Sequence, residues 1–245
     1  MQALRLILIF LSIFIIFIIF ILNYSLSYYY RSGPNKEPSI VLIQKGLGLR
    51  EISKVLYEKG ILVNPKLFNY LLIIKRLDNK LKAGEYLFPE NVSPKKIFET
   101  LTEGKNILRS LTIIEGETIN EIIKKIKYTE GLTGIITDIP EEGEVLPETY
   151  YFSWGEKRQK IIDLMKKSMS DKLNEEWIKR SPGIFVNNKK EAIILASIIE
   201  KETSLNYEKQ IVSSVFHNRL RIGMRLQSDP TVIYGMMVKN NSKLK

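Results

Sequence analysis

The fold of this chain is indicated most directly by residues 192–236, which read AIILASIIEKETSLNYEKQIVSSVFHNRLRIGMRLQSDPTVIYGM. Ile, Leu and Ala recur at helical spacing in the first part, which predicts a helix over 189–201. Glu202 comes seven residues after Leu195 and three after Ile199, so a continuing helix places it on their apolar stripe. A carboxylate on an apolar stripe loses water, which favours its protonated form. Glu202 is therefore a candidate general acid.

A second carboxylate, Glu200, follows Ala196 and Ser197 on another face of the same helix. The alternative interpretation treats both carboxylates as part of a solvated last helical turn, because glutamate side chains are mostly exposed in folded proteins. A second helix is predicted over 208–222. Residues 224–234 are expected to form a loop that lies against the first helix.

The composition bounds the class of protein. The 245 residues are 44% hydrophobic and 26% charged, which excludes a disordered chain and allows one sizeable core or two small ones. A net charge of +10 favours anionic surroundings such as phospholipid headgroups or carboxylate-bearing polymers. The alternative is a general drift toward Lys, Ile and Asn, since the lysines are spread along the chain. Aromatic residues do not interleave with basic ones, so no nucleic-acid partner is expected.

The missing residue types narrow the chemistry further. With no cysteine in the sequence, disulfides, thiol catalysis, cysteine metal sites and a lipoprotein anchor are excluded. His217 is the only histidine, which argues against metal sites built on imidazoles and against most Ser-His arrangements. Any catalysis is expected to rest on carboxylates.

An apolar run begins at Leu6 and ends at Leu22, with one serine inside it. As a helix its seventeen residues span about 26 Å, near the lower limit for crossing a bilayer. Three tyrosines at 28–30 follow where an aromatic belt is expected, and Arg5 favours a cytoplasmic N-terminus. A cleaved signal peptide is the alternative, but no small-x-small site follows the run. Residues 1–31 are therefore predicted to form an uncleaved membrane anchor with its flanks.

The region after the anchor contains an internal repeat. Residues 32–40 read as a short polar spacer, and 41–130 as a small α+β subdomain. Within it, IQKGLGLREISKVLYEKG from Ile43 resembles IIEGETINEIIKKIKYTEG from Ile113 at a constant offset of seventy. Each copy predicts a strand, a glycine turn and a helix, and one shared core is expected over 41–128.

Capping signals place further helices in this region. Asn64 before Pro65 predicts a helix through about Arg76, and Ser93 before a proline predicts another through about Thr102. The first of these carries an apolar stripe that includes Tyr70 and Ile74. Outside this region, another helix is predicted near 157–174.

Three motifs in order, VLPETYYF at 145–152, ASIIEKET at 196–203 and VFHNRLRIGMRLQSDPTVIYG at 215–235, resemble the YceG-like family of membrane-bound endolytic murein transglycosylases. The resemblance implies an α+β fold with an N-terminal transmembrane helix, a LysM-like subdomain at 41–130 and a mainly helical catalytic domain at 144–245. Family members continue beyond VIYG, so the resemblance also implies that the C-terminal part of the catalytic domain is missing here.

The resemblance implies a lyase chemistry with one carboxylate and without a metal or a cofactor. The family often has an apolar residue at the position of His217, so a packed, neutral histidine is expected there. Glu202 corresponds to the family's catalytic glutamate, which protonates the bond between N-acetylmuramic acid and N-acetylglucosamine and then takes the proton of the muramic C6 hydroxyl. The product ends in a 1,6-anhydro ring, and cleavage inside nascent strands limits their elongation. Gln227, Asp229, Glu148 and Tyr150 are candidate substrate-binding residues, with loop shaping as the alternative role of each.

The implied partners are peptidoglycan glycan strands, the lipid bilayer and the cell-wall synthesis machinery. The implied location is the inner (plasma) membrane, crossed once, with the bulk of the chain outside the cytoplasm. The alternative function is that of a membrane-tethered peptidoglycan-binding or scaffold protein without turnover. The subdomain at 41–130 either contacts glycan strands or serves as a packing platform.

Overall fold

The computed structural model describes the backbone of residues 2–77 and 80–242, and the side chains of 7–77 and 80–239. Over these residues the chain forms nine α-helices and six strands, a mixed α and β architecture as predicted. The elements follow in the order α1 (Gln2–Tyr30), β1 (Ser39–Ile43), α2 (Leu49–Glu58), α3 (Pro65–Ile74), β2 (Gly84–Phe88), α4 (Pro94–Glu103), β3 (Leu108–Thr112), α5 (Ile119–Tyr128), β4 (Leu132–Thr133), β5 (Thr149–Ser153), β6 (Glu156–Lys157), α6 (Arg158–Lys179), α7 (Lys189–Glu202), α8 (Asn206–Arg221) and α9 (Asp229–Ser242).

The chain packs into two compact units. The first contains the residues up to Arg109 together with 153–155, and the second contains 110–152 and the residues from 156 onward. The packing therefore divides the chain after Arg109. The domains suggested by the sequence, 41–130 and 144–245, stay a prediction about sequence modules.

The first unit is built around an antiparallel pair of strands. β1 pairs with β2 in a register that runs from Ser39 opposite Phe88 to Ile43 opposite Gly84. Helices α2 and α3 connect the two strands, and α4 packs against β2. The buried apolar side chains form one core: Val41, Ile43, Ile52, Leu56, Ile61, Leu62, Phe68, Leu72, Tyr86, Phe88, Val92, Ile97 and Leu101.

Helix α3 starts as its capping residues predict. The side chain of Asn64 accepts a hydrogen bond from the backbone N–H of Leu67 at 3.0 Å, and Pro65 occupies the first helical position. The apolar stripe that includes Tyr70 and Ile74 is not the buried one, because α3 faces the core with Phe68 and Leu72. The apolar residues of α3 are distributed around the whole helix, so their spacing alone does not show which face is buried.

The predicted spacer is fastened to the first unit through Asn35, which is only 7% exposed. Its amide donates to the carbonyls of Glu37 and Pro89, and its side-chain oxygen accepts from the buried N–H of Val92 at 3.1 Å. At Gly33 an added Cβ would stand 2.2 Å from the carbonyl oxygen of Val92, so only glycine allows this approach. The segment after α1 is therefore a fixed connection.

The second unit has its own core and its own small sheets. β3 pairs with β5, and β4 runs parallel to β6. The core side chains come from β3, α5, β5, α6 and the segments between them: Leu111, Ile113, Ile122, Ile123, Ile126, Leu132, Val145, Tyr150, Phe152, Ile161, Ile162 and Met165. The expectation of one shared core over 41–128 is wrong, since α2 and α5 are buried in separate cores.

The internal repeat is confirmed in local geometry. α2 and α5 each have ten residues at an offset of seventy. Glu51 accepts a hydrogen bond from the N–H of Gly48 at 2.7 Å, and Glu121 accepts one from the N–H of Thr118 at 2.8 Å. Both strand-to-helix turns contain a glycine with a positive φ angle. The similar sequences therefore dictate the same local structure in each unit.

Helix α1 contains one segment, Ile7–Tyr30, that is long and apolar enough to cross a membrane, with a mean hydropathy of 2.9. Its apolar side chains from Ile7 to Leu26 are exposed. This helix is consistent with a single-pass membrane anchor.

A candidate active site at the end of helix α7

Helix α7 carries the candidate acid at its last residue. The helix begins after Asn188, whose side-chain oxygen accepts from the N–H of Glu191 at 2.9 Å. It ends at Glu202, and the N–H of Thr203 donates back to the carbonyl of Ile199. The predicted helix and its boundary are thus confirmed within a residue or two.

The predicted burial of Glu202 is wrong. Its side chain is exposed, and Leu195 is the buried residue that the structure shows on α7. In the last turn of α7 the apolar stripe is no longer covered by other parts of the chain, so the position of Glu202 on that stripe does not remove water from its carboxylate. Ser228 holds the carboxylate instead, because its hydroxyl donates a hydrogen bond to Oε1 of Glu202. Ser228 itself is 3% exposed.

A short loop brings Ser228 to this place. The guanidinium of Arg219 donates to the carbonyl of Leu226, and the N–H of Met224 donates to the carbonyl of Arg219 at 2.8 Å. Gln227 follows with a φ angle of 51°, a left-handed conformation that side chains other than glycine and asparagine rarely adopt. The turn at Gln227 leads the buried Ser228 toward α7 while the amide of Gln227 stays exposed.

The segment after Ser228 differs from its prediction. A loop was expected over 224–234, but α9 begins at Asp229. Proline is tolerated in the first turn of a helix, and the N–H of Thr231 donates to the carbonyl of Ser228 at 3.1 Å. Asp229 therefore lies exposed at a helix N-terminus, where a carboxylate is favoured. The expected contact of this segment with α7 is confirmed.

Glu200 has a different environment from Glu202. Its carboxylate pairs with the ammonium of Lys209 on α8 at 2.7 Å, and both side chains are about a quarter exposed. A shallow groove of about 410 Å³ lies between α7 and α8 here, lined by Ala196, Ile199, Glu200, Lys209, Gln210 and Ser213. The ion pair joins the two helices, so Glu200 supports their packing against each other.

Two further candidate residues lie away from Glu202. Glu148 is exposed, and its backbone carbonyl accepts from the N–H of Ile113 at 3.0 Å. Tyr150 is 4% exposed in the second core, where its hydroxyl donates to the carbonyl of Leu146 at 2.7 Å. Burial raises the pKa of Tyr150 to about 12. The ring of Tyr150 is packed in the core and its hydroxyl is bonded within the chain, and its contact with substrate stays a prediction.

Among the described residues, no hydrogen bond or ion pair joins Glu148 or Tyr150 to Glu202. His217 accepts from the N–H of Phe185 at 3.0 Å through Nδ1, so the ring fastens the loop before α7 to α8. Within the described part of the chain, no group of three or more His, Asp or Glu side chains is placed to hold a metal ion.

Comparison with known proteins gives one consistent family. The sequence profile of the YceG-like family matches residues 41–245. A protein of Streptococcus pneumoniae serotype 2 (strain D39) named endolytic murein transglycosylase is 24% identical over 243 residues, covering 82% of this chain and 43% of that protein. A protein of the same name from Bacillus subtilis (strain 168) is 24% identical over 226 residues, covering 78% of this chain and 61% of that protein.

This chain thus spans roughly half the length of the curated relatives that it matches. A crystal structure of a YceG-like protein from Listeria monocytogenes is 29% identical in sequence, with a TM-score of 0.40, and the match covers 82% of this chain and 76% of that one. The family profile extends over most of the sequence, including all three motifs around the candidate site. The chain therefore belongs to the YceG-like family.

Proposed function

We propose that this chain acts as an endolytic murein transglycosylase with Glu202 as its single general acid and base. The observation that carries the proposal is the hydrogen bond from Ser228 to Oε1 of Glu202, which joins two of the family motifs around one carboxylate. The names of the curated relatives support the reaction class. Peptidoglycan is the proposed substrate.

The proposed reaction needs two proton transfers, one from Glu202 and one back to it. Ser228 occupies Oε1, so Oε2 of Glu202 delivers a proton to the glycosidic oxygen between N-acetylmuramic acid and N-acetylglucosamine. The C1–O bond breaks, and the muramic C6 hydroxyl bonds to C1. The C6 proton returns to Glu202, which restores the acid. A glycan strand lying over the exposed carboxylate displaces its water, and this supplies the desolvation that the free chain lacks.

The substrate contacts proposed around Glu202 come first from the loop before α9. Gln227 presents an exposed amide beside Ser228, and Asp229 presents an exposed carboxylate at the start of α9. An amide and a carboxylate suit the N-acetyl and hydroxyl groups of the sugars. Glu148 remains a proposed contact on its exposure alone.

The proposed setting is the inner (plasma) membrane, crossed once by α1, with a cytoplasmic N-terminus and the bulk of the chain outside. Glycan strands and the cell-wall synthesis machinery are the proposed partners, and cleavage of nascent strands limits their elongation. The region 41–130 is proposed as a LysM-like subdomain that contacts glycan, for which the closed core of the first unit offers a rigid support.

The experiment that tests this function is a digestion of purified murein with the full chain in detergent, followed by mass analysis of the new glycan ends. We expect 1,6-anhydro ends that arise within strands. New reducing ends would show hydrolysis and overturn the transglycosylase assignment.

A membrane-tethered murein-binding protein without turnover is the second candidate. The exposed position of Glu202 favours this second function, because catalytic acids commonly lie in clefts that exclude water and Glu202 is open to water in the free chain. Co-sedimentation with insoluble murein separates the two functions. Retention of the full chain without any new glycan ends would favour binding alone.

A further inference from the structure

Helix α3 has an apolar face that points away from the core. At 100° per residue, Tyr70, Ile73 and Ile74 lie opposite the buried Phe68 and Leu72. These three side chains are 58%, 55% and 59% exposed. Lys66 lies exposed on the same side, and α3 contains no acidic residue. We call Lys66, Tyr70, Ile73 and Ile74 the outer face of α3.

Helix α3 is tied to the end of α1 by two contacts at its two ends, outside the outer face. The hydroxyl of Tyr28 donates to the carbonyl of Asn64, at the start of α3, at 2.9 Å. The ammonium of Lys75, at the end of α3, lies 3.8 Å from the ring centroid of Tyr29. Tyr28 and Tyr29 are neighbours, so they differ by only about 1.5 Å in position along the axis of α1, but they contact the two ends of α3, which are about 16 Å apart. These contacts favour a helix that lies across the axis of α1.

The junction between α1 and the first unit fixes this arrangement. Ser25 and Tyr29 are 9% and 6% exposed, so the last turns of α1 pack against the folded unit. Asn35 fastens the segment that follows α1, as described above. When α1 stands along the membrane normal, α3 therefore runs along the membrane surface.

The height of α3 agrees with the headgroup layer. A hydrocarbon thickness of about 30 Å takes about 20 helical residues, which counted from Leu6 end at Ser25. Tyr28 is then about 5 Å beyond the hydrocarbon, where amphipathic interfacial helices lie. Exposed basic side chains at Lys66 and Arg76 match the charge of anionic headgroups.

We propose that the outer face of α3 is embedded in the headgroup layer of the bilayer that α1 crosses, with Lys66 and Arg76 against anionic lipid headgroups. The inference rests on the proposed role of α1 as a membrane anchor. Two points of attachment then hold the first unit at a fixed tilt and height on the membrane.

The absence of cysteine from the sequence allows a clean test, because one substitution introduces one labelling site. The full chain is reconstituted into vesicles of zwitterionic and anionic phospholipid, with a nitroxide label at Ile73→Cys. Phe14→Cys on α1 serves as the membrane reference. Lys54→Cys on the polar side of α2, where the side chain is 75% exposed, serves as the matched helical control.

The readout is the accessibility of each label to oxygen, which enters bilayers, and to a water-soluble nickel chelate, which does not. We expect the Ile73 label to be intermediate between the Phe14 and Lys54 labels. Lys66→Glu with Arg76→Glu should move the Ile73 label toward water in anionic vesicles and leave it unchanged in purely zwitterionic ones. No effect of the charge reversal in anionic vesicles would overturn the headgroup contact.

The remaining outcomes are distinct. An Ile73 label as water-exposed as the Lys54 label, with the Phe14 label deep in lipid, overturns the inference and leaves the anchor in place. A water-exposed Phe14 label overturns the anchor itself. If the Ile73 label is shielded from both reagents and shows spin–spin broadening that disappears on dilution with unlabelled chain, a second copy covers the face and the inference is overturned.

Discussion

Glu202 and Ser228 together show how a single side chain contact defines the candidate site. The serine hydroxyl is buried and donates to Oε1, so it fixes the rotamer of a carboxylate that is otherwise open to water. A glycan oxygen approaching the exposed side of α7 meets the free Oε2. Glu200 does not offer this geometry, because Lys209 already neutralises it.

The first prediction at this scale concerns the two carboxylates. Glu202→Gln should lower the rate of murein cleavage by about two to four orders of magnitude, because the amide neither donates nor takes up the proton. Glu200→Gln is the matched control and should cost much less. The measurement is the rate at which 1,6-anhydro ends appear, and equal losses at the two positions would contradict the assignment of Glu202.

Ser228 supplies a second prediction, as a positioning residue. Ser228→Ala should lower kcat by about tenfold with little change in KM, since a hydrogen bond to a charged group is worth about 1.5 kcal/mol or more. Ser228→Thr keeps the hydroxyl and should restore most of the rate. Loss of activity in both variants, with altered circular dichroism, would show a role in packing instead.

Two independent features of the sequence predict Glu202 as the candidate acid, but none predicts its contact with Ser228. Helical spacing and the motif resemblance both single out Glu202, although the spacing also predicts a burial that is absent. Ser228 is 26 residues away along the chain, and a serine between Gln227 and Asp229 has no periodic signal. Its contact follows from the turn at Gln227, which depends on tertiary packing.

At the scale of elements, local capping chemistry is the part that sequence predicts well. Asn64 with Pro65 and Ser93 with the following proline start α3 and α4 as expected. The start of α9 was missed because Asp229 before Pro230 also fits a plain turn. The buried face of α3 was missed because both faces are apolar, and the membrane is the proposed partner of the second face.

The cap of α5 gives a prediction about pH. The N–H and the hydroxyl of Thr118 both donate to the carboxylate of Glu121 at 2.8 Å. These bonds, the backbone one first, lower the pKa of Glu121 below its ordinary value of 4.5. Because the folded pKa is the lower one, the stabilisation is present above pH 4.5 and is lost as the pH falls through the lowered pKa.

Glu121→Gln should therefore raise amide hydrogen exchange in α5 at pH 7, by roughly twofold for an exposed cap worth about 0.5 kcal/mol. At a pH well below the lowered pKa of Glu121, the variant and the natural sequence should exchange alike, since both then carry an uncharged side chain. Glu115→Gln removes the same charge from an exposed position outside the cap and should have no effect. A difference that persists in acid would argue against the cap.

At the scale of the whole molecule, the chain has two separate cores where one shared core was predicted over 41–128. The repeat in the sequence predicts two similar local units, and the structure confirms their geometry. Nothing in the repeat tells which apolar residues share a core, because that depends on contacts between distant segments. Leu111 and Met165 belong to the same core although the predicted domains, 41–130 and 144–245, separate them.

Packing is uneven along the second unit, and this leads to the last prediction. Residues 111–165 supply its core, whereas Leu195 and Phe216 are the buried apolar side chains described in α7 and α8. Many other large apolar side chains in this part of the chain are exposed, among them Tyr207 at 71%, Ile211 at 64% and Ile222 at 74%. Helices with few buried contacts open at low free-energy cost and are cut first by proteases.

Limited trypsin digestion of the full chain in detergent should therefore cut first beyond Met165, in the exposed half of α6 or in α7 and α8. It should leave a resistant fragment that contains both cores and ends between Lys166 and Lys179, identified by mass. Adding soluble murein fragments should slow these early cuts if glycan binds over α7 and α9, because a ligand that binds the closed form reduces opening. If α7 and α8 instead survive as long as the second core without any ligand, their exposed apolar side chains are covered by self-association, which sedimentation of the same sample would reveal.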